Sequence, residues 1–336
     1  MGTSNVYQSI YDGPAIDAAI ARATEGGHID AAIQAKPNTN LLDNWYFGNP
    51  VNQRGQTRYT SEGYTIDRWL LYQWNTTSKA CSVATNGLRV HGEASSSCST
   101  GIKQFVEGLK AGCQVTASVL VTNFTAGAAV CLFIRTNSGV RLANVRFSKP
   151  GLYSVTTTLP DDFDANLMID IGQGGSNGGN GNTDFTVLAT KLELGSQQTL
   201  AHQDADGNWV LNEIPDYGEQ LARCQRYFVS VRGGITGLYT NFAFGYASSN
   251  NFAYVTCPIP VAMRTSPTIS VTGSFRLSVN GGKSVLTVTS IESGANSTAT
   301  LIRLGVRVAS GITQGDIIML QADNDNTADI YLSADL

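Results

Sequence analysis

The sequence predicts an all-β protein: two β-sandwich or jelly-roll domains in series, preceded by a short helical stalk. Three observations predict it. Apolar and polar residues alternate with a period of two through most of the 336 residues, the pattern of strands that bury one face. Turn-forming residues, 35 glycines among them, cut these runs into short pieces. Charged residues make up 14% of the chain, against about 25% in an average soluble protein, so the Glu- and Lys-rich composition of long helices is missing.

The stalk comes first, in residues 1–38. From Asp12 to Thr24 apolar residues recur at Ile16, Ala19, Ile20 and Ala23, one face of a helix. Pro14 suits the first turn and Gly26-Gly27 end the run. Ile29, Ala32 and Ile33 repeat the spacing. Helices this short are marginal alone. The stripe is expected to be buried by identical copies, the alternative being the chain's own next domain.

Lys36-Pro-Asn-Thr-Asn breaks the helical period. A jelly-roll domain is then expected over residues 41–197. Val115, Ala117, Val119 and Val121 alternate with polar partners, as do Leu167, Ile169 and Ile171, and Tyr153, Val155, Thr157 and Leu159. The glycine-rich stretch from Gly172 to Gly181 is followed by a strand pattern, not by the helix a phosphate loop needs; it reads as a surface loop. A connector follows over 198–226. Its Asp206-Gly207 marks a hairpin, and Asp216 is placed to cap a short helix. A second β-domain is expected over 227–336, from alternating runs such as Ile302, Leu304, Val306 and Val308.

Composition and motifs exclude several function classes. The net charge is −4 and no Lys or Arg cluster appears, which argues against nucleic-acid binding. No apolar run approaches a membrane span of about 20 residues, so no insertion is expected. Met1 to Ile10 lack a basic and an apolar targeting region; synthesis in the cytoplasm follows. The six cysteines form no CxxC or known framework, so reduced, buried thiols are expected. His28, His91 and His202 lack metal-ligand spacing. Asp204 with Asp206 resembles a fragment of a calcium loop but lacks the remote Glu that would complete it, and Asp323 with Asp325 is also oxygen-rich, so both are calcium candidates. No cofactor is expected. Neighbouring Asp residues in Asn- and Gly-rich turns are usually turn formers, so no catalytic pair is assigned.

Binding is the remaining class. Trp69 is expected in the sandwich core. Leu70, Tyr72 and Trp74 share the opposite strand face. If that face is open, Tyr72 and Trp74 form an aromatic platform on which sugar C–H faces stack. Trp45 and Tyr46 offer a similar platform.

Ordered motifs carry a family likeness. Asn40-Leu-Leu-Asp-Asn-Trp-Tyr-Phe-Gly-Asn-Pro-Val-Asn-Gln-Arg-Gly-Gln-Thr, followed by Tyr64-Thr-Ile-Asp-Arg-Trp, resembles the opening of a domain common in tail-fiber and tail-tip proteins of phages and prophages. Lys191-Leu-Glu-Leu-Gly resembles its closing strand. The stretch from Pro215 to Phe228 resembles the bridge those proteins carry. Met263-Arg-Thr-Ser-Pro-Thr and Ala334-Asp-Leu resemble their C-terminal sandwich. The likeness covers residues 40–336 and comes without catalytic residues. It implies a carbohydrate-binding-module-like jelly roll, a homotrimer, residence in the virion tail, and attachment to a bacterial surface glycan. Other tail or baseplate proteins would then hold the N-terminus. A structural connector with no ligand of its own is the alternative, and a polysaccharide depolymerase a further one.

Overall fold

The computed structural model describes residues 37–94, 97–127, 129–163, 166–173, 179–232, 235–294 and 297–336. The stalk residues Ile16, Ala19, Ile20 and Ala23 lie outside the described residues, as do residues 174–178 of the glycine-rich stretch.

The all-β expectation is borne out. The first unit contains β1 (Arg58–Tyr59), β2 (Gly63–Tyr64), β3 (Leu70–Trp74), β4 (Ser78–Ala84), β5 (Gly87–Glu93) and β6 (Ser97–Glu107). It continues with β7 (Gln114–Ala126), β8 (Val130–Thr136), β9 (Arg141–Arg146), β10 (Gly151–Thr158), β11 (Asn166–Gln173), β12 (Gly179–Asn180) and β13 (Thr183–Leu194). Two antiparallel sheets form, ordered β1-β4-β5-β13-β7-β10 and β2-β3-β6-β11-β8-β9, with β12 pairing β6. Within the first sheet β13 pairs with β7. Leu192 lies opposite Ala117 and Leu194 opposite Val115, and Val115, Ala117 and Leu192 are fully buried. Trp69 and Phe47 pack edge to face, with ring centroids 5.2 Å apart.

The connector docks on this unit. Its hairpin is β14 (Ala201–Gln203) with β15 (Trp209–Leu211). Lys191 and Glu193 alternate with core residues on β13, so they face the other way, and both are fully buried. Buried charges need partners. Lys191 Nζ lies 2.8 Å from Glu213 Oε1, and the Glu193 carboxylate accepts the Thr199 N–H at 2.7 Å and its hydroxyl at 2.5 Å. Helix α1 (Tyr217–Gln225) follows, with the Asp216 side chain accepting the Glu219 N–H at 2.8 Å.

The second unit holds β16 (Phe228–Ser230), β17 (Asn241–Ala247), β18 (Phe252–Cys257), β19 (Thr268–Thr272), β20 (Phe275–Val279), β21 (Ser284–Ser293), β22 (Ile302–Val308), β23 (Ile317–Ala322) and β24 (Asp329–Ser333). Its β-layers join at both edges: β17-β18-β22-β21-β20-β23 close into a barrel, flanked by a three-stranded sheet β16-β24-β19. Ala243, Val255, Leu277, Leu304, Val306, Ile318 and Leu320 fill the interior. Closure removes two edges that would otherwise pair with other chains.

All six cysteines are free, and five are buried. Cys113, which precedes β7, is half-buried. Burial pushes the Cys81 and Cys257 thiols up to about 12, which suppresses the reactive thiolate. The denatured intact protein is therefore expected to take six thiol labels without reductant. A mass showing two or four labels would reveal a bridge.

Candidate functional site

The structure separates the aromatic residues singled out in the sequence. Trp45 is 3% exposed and belongs to the core. That corrects its assignment as a ligand contact: its ring is enclosed within the sandwich. Tyr46 is half-buried, pairs with Ala189 through an isolated bridge, and lies over Gly48. Tyr72 and Trp74 share the outer face of the second sheet. Trp74 is 62% exposed. Tyr72 is anchored: its hydroxyl donates to Asp170 Oδ1 at 2.5 Å, and Arg135 Nε donates to Asp170 Oδ2 at 3.0 Å. The hydroxyl stands over Gly101 and Gly172, where a Cβ would fall 2.5 Å from it. Burial raises both Tyr72 and Asp170 above their ordinary values.

Of the calcium candidates, Asp204 and Asp325 hold turns through their side chains. Asp204 Oδ1 accepts the N–H groups of Asp206 and Asn208, at 3.0 and 2.8 Å. Asp325 accepts from Thr327 and Ser274. These bonds hold both carboxyls below their usual range and engage the oxygens that a cation would need. Among the described residues no group of three or more His, Cys, Asp or Glu is placed to hold a metal. Nor is any helix among them long and apolar enough to cross a membrane.

The motifs converge on the junction between the two units. Asp67 and Arg68, adjacent in the chain, take different partners. Arg68 adopts a left-handed φ of 72°, and its guanidinium reaches Asp43 Oδ2 at 3.0 Å while stacking 3.4 Å above the Tyr227 ring. Asp67 binds Arg54 at 2.9 Å, and the same guanidinium reaches Asp335 at 2.8 Å. Arg54 thus ties the first unit to the last strand's exit. Gln53 Nε2 donates to the Phe228 carbonyl at 2.7 Å, and the Tyr64 hydroxyl to that of Leu336 at 2.7 Å.

Above this junction lies a groove of about 390 Å³. Its walls carry the rings of Tyr59, Tyr64, Phe228 and Tyr331, with Arg54 among them. The Arg54 guanidinium sits 3.6 Å from the Phe228 ring centroid and 5.3 Å from that of Tyr64. Phe228 stacks on Tyr331 at 5.7 Å. Gln56, Thr60, Ser61, Glu62, Ser270 and Thr272 supply polar groups. Burial pushes Tyr59 and Tyr64 up to about 12, so both stay protonated at neutral pH. Rings for apolar sugar faces, with hydroxyls and amides for the polar edges, are the chemistry a pyranose needs. A single carboxylate, Glu62, lines the groove.

None of the aromatic residues chosen from the sequence lines this groove. Sequence reasoning missed Arg54, Tyr59, Tyr64, Phe228 and Tyr331. Arg54, Tyr64 and Phe228 sit inside the quoted motifs, but nothing local says that Arg54 meets Asp335, 281 positions away.

No protein-family model matches the chain, and no curated protein matches it significantly. Several solved structures are distantly similar. The N-terminal CBM22-1–CBM22-2 tandem domain from Paenibacillus barcinonensis Xyn10C is similar over 89% of this chain and 97% of that one, with 9% identity and a TM-score of 0.28. TmCBM61 in complex with β-1,4-galactotriose is similar over 47% of this chain and 99% of that one, at 14% identity and a TM-score of 0.27. The enzymatically active domain of bacteriophage CBA120 tailspike protein 4 is similar over 46% of this chain and 21% of that one, at 11% identity and a TM-score of 0.31.

Proposed function

We propose that this protein is a non-enzymatic receptor-binding component of a bacteriophage tail that attaches the virion to a bacterial surface glycan. The groove between the two units carries this reading. It sets the half-buried rings of Tyr64 and Tyr331, backed by the buried Tyr59 and Phe228, beside hydroxyl and amide groups in a volume suited to one or two sugar residues. Its single lining carboxylate lacks the second one that glycoside hydrolysis uses. The tail context rests on the motifs that resemble fiber proteins. In that context residues 1–38 join other tail or baseplate proteins, and the chain works as a homotrimer.

Ser270 and Thr272 test the groove, because both are exposed on β19 and line it. The double variant Ser270→Trp, Thr272→Trp fills the groove without entering the core. On an array of bacterial surface polysaccharides, the wild type is expected to bind a subset. The double variant is expected to lose tenfold or more in affinity for that subset. A chain lacking residues 1–36 should bind as the wild type does. A wild type that binds no polysaccharide would leave the connector reading in place of this one.

A further inference from the structure

The outer face of the barrel carries a second aromatic surface. One row of paired positions crosses five strands: Ile317, Tyr246, Tyr254, Gly305 and Glu292. Phe244 and Phe252 stand two residues along their strands and therefore on the same face. Phe244 is 59% exposed, Tyr246 50% and Ile317 69%. Gly305 is buried, and its missing side chain makes room for the Phe252 ring. A Cβ there would fall 2.7 Å from the Phe252 ring, which packs edge-on to Tyr254 at 4.9 Å.

Two arginines flank Gly305 on β22. The Arg307 guanidinium lies 4.7 Å from the Phe252 centroid and pairs with Glu292 at 3.2 Å. The Arg303 guanidinium lies 3.7 Å from the Tyr254 centroid, and its Nη2 donates to the Tyr246 hydroxyl at 2.9 Å. Among the described residues no carboxylate pairs with Arg303. This face thus holds one uncompensated positive charge in a chain whose net charge is −4.

Exposed apolar surface of this kind marks interaction sites, and charge decides the occupant. A second copy laid face to face about a two-fold axis through Arg303 would set the two guanidinium groups against each other and desolvate both without a counter-charge, which is costly. An acidic sugar meets both requirements. Its apolar C–H face covers the exposed rings of Phe244 and Tyr246, and its carboxylate takes the fork of Arg303, which Tyr254 holds in place from beneath. We propose that the barrel face is a second glycan site, selective for pyranoses that bear carboxylates. It is independent of the interdomain groove, whose lining guanidinium is already neutralised by Asp67 and Asp335.

Calorimetric titration of the full chain tests this. The probes are tetra- to hexasaccharides of polygalacturonate, hyaluronate and alginate, with cello- and galacto-oligosaccharides as neutral controls. At least one acidic series is expected to bind, more weakly at 300 than at 50 mM salt by the usual screening. Arg303→Met should weaken it tenfold or more and flatten the salt dependence. Tyr254→Ala should weaken it comparably while melting close to the wild type. The groove-filling double variant should bind as the wild type does, which separates failure here from failure of the groove. Absence of acidic binding, equal binding of the neutral controls, or indifference to both barrel variants would overturn the proposal. So would a Tyr254→Ala variant that turns an oligomer into monomers while the wild type binds no acidic probe, because the face would then join copies of the chain.

Discussion

Arg54→Met is expected to lower stability by about 3 kcal/mol at pH 8 and by much less at pH 5. The guanidinium is shared between Asp67, whose side chain is fully buried, and Asp335. Removing it strands two carboxylates at the junction. In the wild type, burial outweighs the attraction of Arg54 and pushes Asp67 up from 3.8 to about 6. Burial raises Asp335 as well, and Arg54 opposes the rise. A carboxyl whose folded pKa exceeds its unfolded value holds its proton more tightly in the folded state. Its contribution to stability is therefore full below the unfolded pKa and is lost as pH rises through the folded one, here through about 6. Arg54 limits that loss. Without it the folded pKa climbs further and the penalty above pH 6 grows, whereas at pH 5 both variants hold a largely neutral Asp67. Melting should show a drop of roughly 6–12 °C at pH 8 and a small one at pH 5. Equal drops at both values would mean that Arg54 acts through packing on Phe228 and not through charge.

This junction also marks where the sequence stops being legible. The strands themselves were readable: the Val115–Val121 alternation forms the inner face of β7 because a period of two leaves no other way to bury those valines. Asp216 and Asp206-Gly207 worked as local signals because a cap and a turn are satisfied within a few residues. Sheet order and barrel closure depend on pairings such as Phe252 with Arg307, which no local pattern specifies. Burial misled the choice of aromatics. Trp45 looks the same in sequence whether it faces solvent or core, and it is 3% exposed. Tyr72 loses its hydroxyl to Asp170, 98 residues on. The barrel face, in contrast, left a trace: Phe244 with Tyr246 and Phe252 with Tyr254 are aromatic pairs two residues apart, on both sides of the turn at Ser248–Asn251.

Two tryptophans five residues apart should respond oppositely to truncation. Trp69→Ala is expected to cost about 3–5 kcal/mol, while Trp74→Ala should stay within about 0.5 kcal/mol of the wild type. Trp69 is fully buried and packs edge-on against Phe47. Its indole N–H donates to the Asn44 carbonyl at 2.9 Å, so truncation opens a cavity and leaves a buried acceptor unpaired. Asn44 takes a left-handed φ of 51° and bonds Val51 and the Asp67 carbonyl through its side chain. Loss of Trp69 therefore also loosens the loop that presents Arg54 and Asp67 to the second unit. Trp74 makes no such demands, being 62% exposed at the end of β3. Urea midpoints compared at unchanged slope measure the difference. If Trp69→Ala unfolded near the Trp74→Ala midpoint, the Asp-Arg-Trp motif would not be a core anchor. The groove would then need another support for its Arg54 wall.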